Sequence, residues 1–193
     1  IEHANSGLQT TYYGYNAAGD MTYVENAKGY PTLIDYDARG LKTRMDDPDM
    51  GEWHYVYDDN GNLFTQTDAK GDIITFNYEA LNRIETKTYT ILNPLETSPT
   101  PNVTYVYDQG IKGIGQLYSV TNSNVTTLYN EYDEMGRSVS VTKTITGDQP
   151  RTTVTGYDLS GKVTSIIHPD NFIVSNTYYL GTGLLNAVTG TPS

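Results

Sequence analysis

The chain has 193 residues, a formal net charge of −11 and a pI near 4.5, which lacks the basic footprint that nucleic-acid binding needs. It has no Cys, which excludes disulfides and thiolate metal sites, and no apolar run reaches the ~18 residues of a membrane helix. Its 18 Tyr and 18 Gly, with abundant Thr, Asn and Asp, favour strands and turns over helices. No signal peptide is visible, and a chain that starts at Ile1 rather than Met is expected to be a segment of a longer polypeptide.

Taken in chain order, the predicted elements repeat. A first strand ends at Tyr15, a turn closes at Gly19 and a return strand starts near Met21. The pattern recurs in steps of 21 residues at Tyr36 with Gly40, at Tyr57 with Gly61 and at Tyr78 with Asn82. Asn, like Gly, accepts a left-handed backbone, so Asn82 keeps the pattern. The stretch "ILNPLETSPTPN", residues 91–102, then breaks the period and reads as an inserted surface loop. The pattern resumes at Tyr107, Tyr132 with Gly136, Tyr157 with Gly161, and Tyr179 with Gly183. The copy at Tyr107, "YDQGIKGIGQL", carries extra residues.

Each copy is expected to be one β-hairpin, with a return turn leading to the next. In "YDDNGNL" the pair Asn60-Gly61 predicts a type I′ turn, and Asp58 and Asp59 are expected to bond nearby backbone amides. Return turns are expected at "ENAKGY", "DDPDMGE", "TDAKGD", "TNSNV", "TGDQP" and "HPDNF". A period of two puts Trp53, Tyr55 and Tyr57 on one face, as it does Ile74, Phe76 and Tyr78, and Val103, Tyr105 and Tyr107. Apolar residues return at Met21, Leu63, Ile84, Leu117, Val139, Val163 and Leu185. One face is thus aromatic and apolar, the other polar. About sixteen strands at ~4.8 Å would make a flat ribbon ~75 Å long. Open twisted sheets of that width curl, spiral or split. The fold class is therefore all-β: a curved, single-layer antiparallel sheet of tandem hairpins, with a β-propeller as the alternative. A membrane barrel needs longer strands and an apolar outer band.

Sites of chemistry find little support. The acidic clusters lack the twelve-residue frame of an EF-hand and read as turns. The histidines, His3, His54 and His168, have no partner at ligand spacing. His54 alternates with Trp53 and Tyr55, so it is expected on the polar face. There is no G-x-S-x-G and no Cys nucleophile. Aromatic residues beside Asp and Asn could stack on a sugar, but at strand spacing they are expected to pack on one another. "NVT" at Asn102 and at Asn124 fits the glycosylation acceptor pattern. No catalysis, cofactor or metal is expected.

The "Y-D-x-x-G-x-L" unit, best seen in "YDARGLKTRMDDPDMGE", "YDDNGNLFTQTDAKGD", "YDEMGRSVSV" and "YDLSGKVTSIIHPDNF", resembles the YD-repeat, or rearrangement-hotspot (Rhs), family. The resemblance covers residues 11–188 and makes residues 1–193 a single array of about eight repeats. It implies a sheet that spirals into a hollow shell, as in insecticidal toxin complexes, polymorphic toxins and teneurins. This chain would be a structural wall segment shielding a toxin or other cargo. Its partners would be flanking repeats, the enclosed C-terminal cargo and other toxin-complex subunits, with a secreted or cell-surface bacterial location. The framework residues would be Tyr15, Tyr36, Tyr57, Tyr78, Tyr107, Tyr132, Tyr157 and Tyr179, with Gly19, Gly40, Gly61, Asn82, Gly136, Gly161 and Gly183. Some members carry a self-cleaving protease with a terminal "D-P-x-G" motif. Here "DPDMG" at 47–51 lies inside a repeat, on the return-turn phase, and no protease role is carried over. The alternative function is a carbohydrate- or receptor-binding repeat module.

Overall fold

Strict alternation makes strands of these segments. In Gly51–Tyr57 every second residue is half-buried and the residues between are exposed. The computed structural model describes residues 9–92 and 100–192, so most of the inserted loop and His3 lie outside the described residues. The chain divides into two units, residues 1–100 and 101–193.

The first unit holds β1 (Tyr12–Tyr15), β2 (Met21–Glu25), β3 (Pro31–Tyr36), β4 (Lys42–Asp47), β5 (Gly51–Tyr57), β6 (Leu63–Thr67), β7 (Ile73–Tyr78) and β8 (Ile84–Thr90). The second holds β9 (Val103–Tyr107), β10 (Leu117–Thr121), β11 (Val125–Tyr132), β12 (Ser138–Ile145), β13 (Arg151–Tyr157), β14 (Val163–Ile167), β15 (Ile173–Tyr178) and β16 (Leu185–Thr191). Within each unit every strand pairs antiparallel with the next in chain order. The ladders β4–β5 and β12–β13 run straight through the points where propeller blades would separate. The expected all-β open sheet is what forms, and the propeller alternative is excluded.

The facing pairs Ile34–Met45, Met45–Trp53, Tyr55–Gln66, Gln66–Ile74 and Phe76–Lys87 trace the apolar face across the first unit. The opposite face carries Asp35, Arg44, Asp46, Glu52 and His54. A single layer buries little. Among the described residues only Ile34 and Tyr132 are buried hydrophobics, at 8% and 5% exposure. Stability must come from strand-to-strand contacts rather than from a two-layer core.

The turns differ from the expected type I′ form. In the Asp58–Asn62 turn, the Gly61 amide donates to the Asp58 carbonyl at 3.1 Å and the Asp58 amide to the Asn62 carbonyl at 2.9 Å. Only Gly61 has positive φ, +86°; Asn60 does not. This is the three-residue loop in which a tight turn is followed by a left-handed residue at a bulge. The ladder shifts register beside it, between Val56 and Tyr57. The same closure recurs at Gly19, Gly40, Asn82, Gly136 and Gly161. The return turns at Asn26–Tyr30, Asp68–Asp72 and His168–Phe172 use it too, with Asn171 at φ +67°.

Gly61→Val should therefore destabilise the chain by about 1–3 kcal/mol from backbone strain. Crowding adds nothing, because an added Cβ would meet only Leu41 Cδ1, at 3.9 Å. Gly61→Asn should cost less, since Asn82 holds the equivalent place at φ +60°. Urea melts of the two variants check this; equal midpoints would contradict the turn assignment.

The copy at Tyr107 is rebuilt rather than broken. Its closing turn shifts to Gly113–Gln116, with Gly115 at φ +80°. The extra residues lay Ile111 beside β11 in a short parallel bridge. There the Ile111 amide reaches the Asn130 carbonyl at 2.9 Å, and the Tyr132 amide reaches the Ile111 carbonyl at 3.0 Å. The patch lies where β11 bulges around Asn130, between its pairs Tyr129↔Val141 and Glu131↔Ser140, and beyond the last β10–β11 pair, Ser119↔Leu128.

Candidate functional site: tyrosine pegs between hairpins

The residues that join one hairpin to the next are the repeat tyrosines. Six ladders between hairpins stop two residues short of the start of the earlier strand. They end at Tyr23↔Leu33, Arg44↔His54, Thr65↔Thr75, Ser119↔Leu128, Ser140↔Val154 and Ser165↔Ser175. Beyond these pairs the strands no longer bond, and the next repeat tyrosine fills the gap. Its hydroxyl donates to the carbonyl of the earlier strand's first residue. Tyr36 reaches Met21 at 3.0 Å, Tyr57 reaches Lys42 at 3.0 Å and Tyr78 reaches Leu63 at 2.8 Å. Tyr157 reaches Ser138 at 3.3 Å, Tyr178 reaches Val163 at 2.7 Å, and Tyr132 reaches Leu117. A ring wedges the opening while its hydroxyl bonds a backbone group that the ladder has left. Burial raises the pKa of Tyr57, Tyr78 and Tyr132. They therefore stay neutral and able to donate.

These positions locate the framework residues. Tyr36, Tyr57, Tyr78, Tyr132 and Tyr157 are pegs. Tyr15 ends β1 and is exposed, and Tyr107 ends β9 opposite Leu117. Tyr179 is displaced from the expected role. Tyr178 ends β15 and makes the bond, whereas Tyr179 lies in the turn, 56% exposed, where its amide donates to the Leu184 carbonyl. One extra turn residue explains the slip, because Gly183 still closes the turn onto Tyr179 but from four residues away. The residue facing Tyr132 is Ser138, not Val139.

Side chains at the turn edge add links between repeats. Arg39 donates to the Asp58 carbonyl at 3.3 Å, and Arg137 to the Asp158 carbonyl at 3.1 Å. Asn60 and Asn62 donate to Asn82 Oδ1 at 3.2 and 2.9 Å. Asn82 thus bridges repeats as well as accepting the left-handed backbone. The Arg137 guanidinium stands 4.6 Å over the Tyr157 ring and the Lys162 ammonium 5.3 Å over that of Tyr178.

The acidic clusters are occupied by their own turns. Asp37 Oδ1 accepts the amides of Arg39 and Leu41, Asp133 those of Met135 and Arg137, and Asp158 those of Ser160 and Lys162. Asp58 accepts the Asn62 amide, and its side-chain bond to Asn62 also holds it ionised. Asp47, in "DPDMG", accepts the amides of Asp49 and Met50 and the Thr32 hydroxyl. These bonds hold the carboxyls of Asp37, Asp47, Asp58, Asp133 and Asp158 below their ordinary pKa. A depressed folded pKa contributes stability above the unfolded value of about 3.9, and that stability is lost as pH falls through the folded values. The melting temperature should therefore drop below pH ~4. A variant with Asp37, Asp58, Asp133 and Asp158 all changed to Asn should show a shallower drop. A flat profile from pH 5 to 3 in the parent chain would refute the turn role.

On the polar face Arg44 contacts Glu52 at 3.0 Å, Asp46 at 3.0 Å and Asp35 at 3.3 Å. His54 meets Glu52 at 2.8 Å and is exposed, as the period of two requires. Among the described residues no three His, Asp or Glu side chains converge as a metal set.

Residues 57–90 match the family described as RHS Repeat. The chain thus carries the repeat of the YD-repeat, or Rhs, family that its motifs resemble. No curated protein sequence matches it. Among solved structures, the crystal structure of TcdB2-TccC3 without its hypervariable C-terminal region is similar, with a TM-score of 0.79 at 17% identity. The match covers 95% of this chain and 10% of that one. TcdB2-TccC3-Cdc42 matches with a TM-score of 0.78 at 17% identity, over 95% of this chain and 10% of that one. A Photorhabdus luminescens Tc holotoxin pore matches with a TM-score of 0.78 at 17% identity, over 94% of this chain and 10% of that one. The chain has the fold of a stretch of these toxin-complex components and spans about a tenth of their length.

Proposed function

We propose that the chain is a wall segment of a YD-repeat shell that encloses a toxin or other cargo polypeptide and keeps it from the outside until release. Residues 1–193 would act as one tandem array, with flanking repeats, cargo and other toxin-complex subunits as partners, in a secreted or cell-surface bacterial protein. The observation that carries this reading is the construction of the sheet. It is one layer thick, almost without buried side chains of its own, and pegged from hairpin to hairpin by tyrosine hydroxyls on backbone carbonyls. Such a layer excludes molecules by continuity, and its role is structural. The carbohydrate-module alternative is less favoured, because Trp53 and the peg tyrosines commit their polar ends within the wall. The Trp53 indole donates to the Met50 carbonyl at 3.2 Å, and the peg hydroxyls bond backbone.

The test is limited proteolysis of the polypeptide that carries this array. Cargo within it should resist protease that cuts the same cargo expressed alone. Loosening the wall with Tyr57→Ala and Tyr132→Ala should expose it. Equal cutting rates for free cargo and cargo behind an intact wall would overturn the reading.

A further inference from the structure

A cavity of about 130 Å³ opens on the peg face of the first unit, at the return-turn end of β5 to β8. Trp53 and Tyr89 line it, with Gln66 and Ile74 on the strands between them. Gln66 and Ile74 face each other across β6 and β7. The period of two brings Asp68 and Asp72, the ends of the turn joining these strands, into the same lining. All six residues are half-buried. The strands β5, β6 and β7 each have a neighbour on both sides, so the cavity is built between joined hairpins and not along a free strand edge. Asp68 Oδ1 accepts the Lys70 and Asp72 amides at 2.9 Å, and Asp72 Oδ1 accepts the Leu92 amide at 2.8 Å. Among the described residues the second oxygen of each carboxylate makes no bond, and neither carboxylate is ion-paired. The chain's own arginines are held elsewhere, Arg39 by Asp37, Arg44 by Glu52, Arg83 by Glu79, Arg137 by Asp133 and Arg151 by Asp148. Lys87 stands over the Tyr89 ring at 5.0 Å, whereas no cation stands over Trp53 among the described residues. The inserted segment, residues 91–102, contains no Lys or Arg and so supplies none. The Trp53 indole N–H is committed to the Met50 carbonyl, which leaves the ring's π face as the group it offers.

We propose that this cavity takes the guanidinium of an arginine carried by a partner polypeptide. Charge complementarity selects a cation, because two carboxylates stand at the ends of one turn with an acceptor oxygen each to spare and no cation beside them. The indole selects the kind of cation. A guanidinium is planar and weakly hydrated, lies flat on an aromatic face and donates in a fork to two oxygens. A lysine ammonium is a compact, strongly hydrated point charge, and leaving water for a half-buried cavity costs it more. The small volume admits one head group, so the site reads a single arginine and not a basic run. The formal net charge of −11 draws cationic segments toward the chain before contact. The proposal rests on the cavity and not on the enclosing role.

Trp53 is the single Trp of the chain, so its emission reports on the cavity directly. The full chain is titrated with acetyl-Gly-Arg-Gly-amide, with the same peptide carrying citrulline as a neutral isostere, and with its lysine counterpart. The arginine peptide should change the emission saturably, with a Kd on the order of 1 mM. The citrulline peptide should give no saturation over the same range, and the lysine peptide should bind more weakly. A variant carrying Asp68→Asn and Asp72→Asn should bind the arginine peptide at least about tenfold more weakly. Asn keeps such a turn closed, since Asn26 Oδ1 accepts the Lys28 and Tyr30 amides in the corresponding return turn. Circular dichroism melts check that the variant folds. If it does not, the Trp53 indole N–H resonance of the parent chain replaces it, and should move with the arginine peptide and stay with the citrulline one. No saturable change with the arginine peptide would overturn the proposal. So would equal binding of the citrulline or lysine peptide, undiminished binding by the Asn variant, or an indole resonance that moves alike with arginine and citrulline.

Discussion

Replacing Tyr132 with Ala should cost the second unit about 3–5 kcal/mol, the range for truncating a buried aromatic side chain. Tyr132 is the most buried of the peg tyrosines, at 5% exposure. Its ring stacks on that of Tyr129 at 6.3 Å, its hydroxyl holds the Leu117 carbonyl, and its amide holds Ile111 at 3.0 Å. The loss therefore removes packing and the joint between β10 and β11 together. Tyr132→Phe keeps the ring and removes only the hydroxyl, so about 1 kcal/mol should go. Urea melts followed by circular dichroism separate the two. If Ala costs no more than Phe, the ring is not a wedge.

Gly113→Ala should be nearly as damaging, by at least about 2 kcal/mol, from overpacking and lost hydrogen bonds. A Cβ built at Gly113 falls 1.6 Å from the Gln109 carbonyl oxygen and 2.7 Å from its carbon, so the loop must open. Opening it would draw Ile111 away from Asn130 and Tyr132. Hydrogen exchange should show the amides of Ile111 and Tyr132 losing protection while those of β13 to β15 keep theirs. Unchanged exchange at Ile111 would mean that the loop does not brace the bulge.

Strands and turns were legible because a single-layer sheet writes its period directly into the chain. Trp53, Tyr55 and Tyr57 fall on one face, as alternation requires, and His54 on the other. Asn82 was legible for the same local reason, since its backbone need is that of Gly. The turn type was not. Asn60-Gly61 favours two left-handed residues in isolation, but Asp58 accepts the Asn62 amide and the bulge beside Tyr57 leaves only Gly61 left-handed. The pegs were hidden for a different reason. A period of two assigns Tyr57 a face but not the opening of the β4–β5 ladder beyond His54 that its hydroxyl fills. Local spacing also misled at the last copy, where the extra turn residue makes Tyr179 match the Gly183 spacing while Tyr178 ends the strand. The loop from Asp108 to Gln116 reads as an irregular copy because its partner, the bulge at Asn130, lies in the next hairpin.

That last pair of tyrosines gives the most direct test of the peg as the joint between repeats. Tyr178 and Tyr179 are neighbours in the chain, and only the first places its hydroxyl on a backbone carbonyl, that of Val163 at 2.7 Å. The measurement is the urea midpoint of Tyr178→Phe and Tyr179→Phe beside the parent chain. The peg account predicts a loss of about 1 kcal/mol for Tyr178→Phe and none for Tyr179→Phe. Equal losses, or a loss only at Tyr179, would contradict it.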